Sequence, residues 1–274
     1  MRFGLNRIAC PGLSLEEFLK TASGLGMKEV ELRNDIPGRR VLDDLAPPQL
    51  LELCRSHGMG IATINAVQRF DLGSDLPHVI EESRNLGDIA HDVGCPAIVF
   101  CPNNDRRDRR SPEQRFSEAV SALRAVAPEL ERRKLRGLLE PLGFPQCSIR
   151  SKKTAMEAIE RSGADCFRVV HDTFHHRLGT DTDDDVRELC RKSLIGLVHV
   201  SGVEEPEPPE GYGDRHRVLV GPGDRTGSRE QIRLLESLGY DGLCSFEPFA
   251  ERIQRLSADG LREQLSASLR YITG

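Results

Sequence analysis

Phe167-Arg-Val-Val-His-Asp172 is a short apolar run that closes on a carboxylate, and the chain contains three more such runs, two closing on a carboxylate and one on an imidazole. Gly137-Leu-Leu-Glu140 precedes it, and Gly196-Leu-Val-His199 and Leu243-Cys-Ser-Phe-Glu247 follow. Upstream, Arg2 to Asn6, Glu29 to Arg33, Gly60 to Asn65 and Ala97 to Cys101 have the same length and aliphatic character. Each run is followed by a helical pattern of about a dozen residues, which is the signature of repeated βα units. Eight such units without a composition break predict one domain over residues 1–274, folded as a single (β/α)₈ TIM barrel, a fold that takes ~250 residues.

The punctuation between the runs agrees. Ser14-Leu-Glu-Glu17 reads as a capping box, in which hydroxyl and carboxylate satisfy amides that a first helical turn leaves unpaired. Ser111-Pro112-Glu-Gln114 has the same form with Pro at the first helical position. Gly26, Gly58, Gly94, Gly163 and Gly239 each follow a periodic stretch, where glycine ends a helix in the left-handed conformation. A doubly wound open sheet is the rival fold. It announces itself by a glycine-rich turn after its first strand, whereas here Asn6-Arg7-Ile8-Ala9-Cys10-Pro11 has no glycine before Gly12.

Composition narrows the function. The net charge of −5 argues against nucleic acid as the main partner, because phosphate contacts need clustered Lys and Arg. The basic cluster Arg106, Arg107, Arg109 and Arg110 is interleaved with Asp105 and Asp108 and reads as a solvated loop. Eight cysteines lie scattered without Cys-x-x-Cys spacing, so free thiols in a reducing cytoplasm are expected. The N-terminal residues lack a secretory pattern, and no apolar run of ~18 residues is present to span a membrane. The expected partner is a small molecule, with a homo-oligomer left open.

In a (β/α)₈ barrel the active site lies where the strands end and their side chains converge. Glu140, Asp172, His199 and Glu247 close strands five to eight in succession. Three carboxylates and one imidazole suit a single Mn²⁺, Zn²⁺, Mg²⁺ or Co²⁺ and no softer metal. Taken singly, each is more often a helix cap or a satisfied core residue. Buried together without a cation they would repel at a desolvation cost of several kcal/mol each.

At these residues the sequence resembles a known family. Leu139-Glu-Pro-Leu-Gly-Phe-Pro-Gln-Cys147, His171-Asp-Thr-Phe-His175, Val198-His199, Arg217-Val-Leu-Val-Gly-Pro-Gly223 and Ser245-Phe-Glu247 are similar to motifs of the xylose isomerase-like barrels, the sugar isomerases and epimerases. Within them the likeness points to inosose (2-keto-myo-inositol) isomerases, and Val30-Glu-Leu-Arg33 and Ile64-Asn-Ala66 extend it. The resemblance implies that the four strand-end residues bind the metal and that His175 and Arg217 face the substrate. It implies an isomerisation through an enediolate, with Glu140 and Glu247 as the acid–base pair. One departure is visible: relatives often carry an acidic residue three positions after the strand-seven His, and this chain has Gly202.

Other chemistries on this scaffold include ketose 3-epimerisation, hydroxypyruvate isomerisation, inosose dehydration and abasic-site cleavage. The last needs further ligands from the early strands, whose ends are Asn6, Arg33, Asn65 and Cys101, and a basic surface. A non-catalytic barrel would leave four convergent ligands without a use. Among minor features, Asp181-Thr-Asp-Asp-Asp185 reads as the acidic first turn of the helix after strand six. Gly221-Pro-Gly223 reads as a tight turn at the rim, Glu204 to Gly213 as an insertion able to act as a lid, and Cys101 and Cys147 as small apolar packers. The absence of a phosphate-cradling loop before the last helix favours an unphosphorylated substrate.

Overall fold

The structure is a computed structural model and describes residues 1–274. Strands β1 (Arg2–Asn6), β2 (Glu29–Arg33), β3 (Gly60–Val67), β4 (Ala97–Phe100), β5 (Arg136–Leu139), β6 (Phe167–Asp172), β7 (Ile195–Val200) and β8 (Leu243–Phe246) pair in chain order, all parallel. β8 returns to β1 from Arg2↔Leu243 to Leu5↔Phe246 and closes the barrel. Around it lie α1 (Leu15–Ser23), α2 (Pro47–His57), α3 (Leu76–Asp92), α4 (Pro112–Glu131), α5 (Lys152–Ser162), α6 (Thr173–Leu178), α7 (Asp183–Arg191), α8 (Ser228–Ser237), α9 (Glu251–Gln254) and α10 (Ala258–Thr273). No helix is long and apolar enough to cross a membrane.

Successive strand residues point to opposite faces, which divides the apolar side chains into two layers. The larger layer, with Leu5, Val30, Leu32 and Val169, fills the space between strands and helices. A separate cluster of nine fills the lower barrel, among them Val99, Leu138, Val170 and Leu197. Glu140, Asp172 and His199 stand two residues beyond Leu138, Val170 and Leu197, so the same alternation turns them inward at the C-terminal mouth. Glu140 and Glu247 lie one residue past their strands, yet their amides still donate to Phe100 and Val200 at 3.0 Å.

The start and stop signals hold with one exception. Ser14 and Glu17 form the reciprocal box. Ser111 accepts from the Gln114 amide, but the Gln114 side chain turns to Glu118 at 2.8 Å, so only half a box forms. The five helix-ending glycines have φ between 61° and 83°. The acidic run after strand six divides. Asp183, Asp184 and Asp185 form the first turn of α7, capped by Thr182. Asp181 stands outside it, accepting from the Lys152 amide at 2.8 Å and pairing with Lys152 Nζ at 3.2 Å. The residues after β6 first form the short helix α6, which sequence reading does not anticipate.

The arginine-rich segment after β4 is not simply a solvated loop. Arg110 is one-tenth exposed and binds Asp108 and Glu118 at 2.8 Å and Asp71 at 3.3 Å. Asp71 also accepts from the Asn103 amide at 2.6 Å, so alternating charges in sequence become an ion-pair network that fixes the loop's path.

Candidate metal centre and active site

Glu140, Asp172, His199 and Glu247 are all buried, and one ligand atom from each lies within 4.8 Å of the others. His199 settles their arrangement. Its Nδ1 is 2.8 Å from Glu140 Oε1 and 3.3 Å from Glu247 Oε2, while its Nε2 is 3.1 Å from Glu31 Oε2. A proton on Nε2 donated to Glu31 leaves the Nδ1 lone pair facing the carboxylates, the arrangement in which a metal-binding imidazole is oriented by an outer carboxylate.

Sequence reading missed Glu31. It is fully buried and also accepts from Thr63 Oγ1 at 2.6 Å, Asn65 Nδ2 at 2.9 Å and Asn6 Nδ2 at 3.3 Å. A usable signal existed in Glu29-Val-Glu-Leu-Arg33, where Glu31 and Arg33 alternate with Val30 and Leu32 and therefore share the inward face. Arg33 was likewise placed only as a strand end. Its Nη1 donates to Glu247 Oε1 at 2.8 Å, and its Nε and Nη2 fork onto Asp35 at 2.7 Å each. The early strands thus supply hydrogen-bonding support to the donor set.

Arg217 is brought into the site. Its Nη2 donates to Asp172 Oδ2 at 2.6 Å and to Glu247 Oε2 at 2.8 Å, and its Nε to Ser201 Oγ at 3.0 Å. The guanidinium lies 4.6 Å from the ring centre of Phe249 and 5.1 Å from that of Phe174. His175 caps onto Asp172 through its amide at 2.9 Å, and its buried Nδ1 has no hydrogen-bond partner within the protein. Both side chains line a cavity of about 750 Å³, together with Glu140, Glu247, Cys101 and Phe144. Cys101 packs in the barrel interior as expected, with Sγ also 3.6 Å from Glu140 Oε2. Cys147 packs with Phe144, Phe174 and Tyr212.

Burial and crowding displace the ionisations. Burial opposes charge on His199, but the carboxylates of Glu247, Glu31 and Glu140 outweigh it and raise its pKa well above the ordinary value. Burial pushes Glu247 up to about 7, with Glu140 adding repulsion and His199, Arg217 and Arg33 opposing. For Glu31 burial also acts upward, but the His199 charge prevails and brings it down to about 2. Burial likewise opposes charge on Asp172, and Arg217 holds that carboxyl well below the usual range. Such crowding of like charge is what a divalent cation relieves, and an all-oxygen-and-imidazole donor set fits one.

At the rim, the Gly202 amide and carbonyl bridge to Val218 at 2.8 Å each. A side chain at position 202 would meet Asp224 Oδ1 at 3.0 Å. Asp224 in turn caps the amides of Val203, Thr226 and Ser228. Gly221 to Asp224 is closed by an amide-to-carbonyl bond of 3.0 Å, the expected turn. Within the segment from Glu204 to Gly213, Tyr212 is buried and donates to the Glu205 carbonyl at 2.9 Å.

A closed parallel barrel with this cluster at its C-terminal mouth defines a TIM-barrel enzyme. The chain belongs to the xylose isomerase-like TIM barrel family, whose model matches residues 19–272. It is similar to the inosose isomerase of Halalkalibacterium halodurans, 25% identical over 238 residues that span 85% of this chain and 82% of that one. A solved xylose isomerase domain-containing protein from Salmonella typhimurium LT2 is 36% identical, with a TM-score of 0.91 over 100% of this chain and 97% of that one. The zinc-bound IolI protein superposes with a TM-score of 0.87 at 21% identity, covering 99% and 98% of the two chains. The protein is therefore an enzyme of the xylose isomerase-like kind, and the curated relatives it matches are isomerases.

Proposed function

We propose that Glu140, Asp172, His199 and Glu247 hold one divalent ion, and that the enzyme isomerises a small polyhydroxy ketone, 2-keto-myo-inositol foremost. The observation that carries this is the convergence of four buried donors, two of which, Glu140 and Glu247, line a cavity that His175 and Arg217 also face. Inosose as the substrate is supported by the inosose isomerases the chain resembles, so that choice rests on family likeness. The IolI likeness supports zinc as one candidate among Mn²⁺, Zn²⁺, Mg²⁺ and Co²⁺. We read the chain as one domain acting in a reducing cytoplasm, in keeping with its eight free thiols.

When bound, the ion supplies Lewis-acid stabilisation of the negative charge that develops on the ketone oxygen. The chain's own groups do the rest. Glu140 and Glu247 act as the acid–base pair, one removing the proton beside the carbonyl and the other returning a proton at the former carbonyl carbon, while the proton of the adjoining hydroxyl passes to the former ketone oxygen. Their oxygens converge on His199 Nδ1, so both face the same small volume. Glu247 is clamped, with Arg33 on Oε1 and Arg217 on Oε2, whereas no arginine holds Glu140, whose Oε1 lies 2.8 Å from His199 Nδ1. His175 Nδ1 is free to bond a substrate hydroxyl, and Phe144 and Phe249 wall the cavity against water.

The test is incubation of metal-loaded protein with inososes, ketohexoses and hydroxypyruvate, with product identification. Isomerised inosose is the expected product, formed with higher kcat/KM than any ketohexose product. An ultraviolet-absorbing dehydration product would make the enzyme a lyase. Preferred 3-epimerisation of a ketohexose would move it to the epimerases.

A further inference from the structure

The reaction cavity opens sideways. Asn104, Arg106, Phe144 and Asp214 line it and also line an adjoining groove of about 600 Å³. The groove is walled by the loop after β5, the end of α6 and the segment from Pro209 to Arg215. Its charged side chains are Arg106, Arg150, Arg177 and Arg215 against Glu210 and Asp214, an excess of positive charge on a protein whose net charge is −5.

These cations differ from the others near the mouth. Arg33, Arg107, Arg110 and Arg217 are each engaged by carboxylates. Arg150 is held by the Gly143 carbonyl at 2.9 Å, which fixes its fork without neutralising it. Arg106, Arg177 and Arg215 are exposed and donate to no group of the protein. Their supports are nonetheless firm. Asn103, three residues before Arg106, is tied through its amide to Asp71 at 2.6 Å and through its carbonyl to the Ser148 amide at 2.9 Å. On the opposite wall Tyr212 is anchored in the apolar cluster of Phe144 and Phe174, and the Gly213 amide donates to His216 Nδ1 at 3.0 Å.

We infer that this groove is an anion subsite, in which Arg106, Arg177 and Arg215 hold a phosphate or carboxylate carried by an inosose-like ketone away from its carbonyl, so that such a derivative is preferred to the neutral ketone. This rests on the keto-polyol reading of the adjoining cavity and refines it, and it departs from the expectation of an unphosphorylated substrate. Guanidinium forks match both anions, and charge-assisted hydrogen bonds to them are about twice as strong as neutral ones. A neutral polyol gains only ordinary hydrogen bonds from these guanidinia, whereas an anion gains charge-assisted ones.

The experiment compares kcat/KM for a neutral keto-polyol, its phosphate ester and its carboxylate analogue, in wild type, an Arg177→Gln/Arg215→Gln variant and the corresponding Lys variant. The wild type should favour one anionic form by at least about tenfold, the Gln pair should lose that ratio, and the Lys pair should keep part of it. Whichever anion gains more identifies the group. A ratio near one in wild type, or a ratio unchanged by the Gln pair, overturns the subsite. If the neutral ketone alone is turned over, the subsite falls and the keto-polyol reading stands. If no ketone is turned over, that reading falls, and calorimetry of inorganic phosphate at low ionic strength decides the subsite. Binding that the Gln pair weakens tenfold or more supports it, and absence of binding to wild type overturns it.

Discussion

Replacing Glu31 by Gln separates support of the metal site from the site itself, because Glu31 touches His199 and no other member of the donor set. Its carboxylate accepts four hydrogen bonds, from His199, Thr63, Asn65 and Asn6. A glutamine offers one accepting oxygen and places an NH₂ where donors already point. Asn6 cannot turn to receive it, since Asn6 Oδ1 is engaged by the Ile8 amide at 3.0 Å and Arg33 at 3.3 Å. At least one buried donor then faces another. A lost hydrogen bond to a charged group costs about 1.5–3 kcal/mol, and loss of an outer-shell carboxylate partner typically lowers metal affinity or activity about 10–100-fold. The assay is metal affinity of chelator-stripped protein by competition with a chromophoric chelator, alongside thermal unfolding in saturating metal. Affinity within twofold of wild type in a normally folded variant would refute the role assigned to Glu31.

Three further outcomes are expected. Glu140→Gln and Glu247→Gln should each lower kcat by roughly 10²–10⁴-fold at matched metal occupancy, read by steady-state kinetics with metal analysis, and near-normal turnover in both would end the two-carboxylate mechanism. Arg217→Lys should lower kcat/KM by about 10–100-fold, the equivalent of one lost charge-assisted bond, because an ammonium cannot hold Asp172, Glu247 and Ser201 together. Between pH 5 and 8 the metal-free protein should lose stability as pH rises. The folded pKa values of His199 and Glu247 are both raised, so their stabilisation is present at low pH and fades as pH passes the value of about 7 for Glu247 and then the higher one for His199. Metal affinity should increase over the same range as the competing proton leaves, and a pH-independent melting temperature in metal-free protein would contradict this.

Much of the barrel was legible because its signals are local. An apolar run of alternating facing and a capping serine need only neighbouring residues to be interpreted, and the strand-end rule then predicts where inward side chains converge. The errors arose where a side chain's partner is distant in sequence. Arg110 reads as one of several solvated arginines until Asp71 and Glu118 are brought to it. Gln114 is the exception, since its competing partner Glu118 lies only one helical turn on, and the choice between Ser111 and Glu118 is one of side-chain conformation. Glu31 and Arg33 sit in a strand whose pattern is plain, but what makes them part of the site is closure of β2 against β1 and β3, which places them opposite His199 and Glu247.

The eight βα units, the inward register of Glu140, Asp172 and His199, and the hard-donor character of the site are written in the amino-acid order, since each follows from residue type and a period of two along a strand. The folded chain alone shows that His199 turns Nδ1 to Glu140 and Glu247 and Nε2 to Glu31, that Arg33 and Arg217 each hold one oxygen of Glu247, and that Arg106, Arg177 and Arg215 border one groove. Those facts depend on angles and distances around a closed barrel between residues as far apart as Asn6 and Glu247, and no local pattern encodes them.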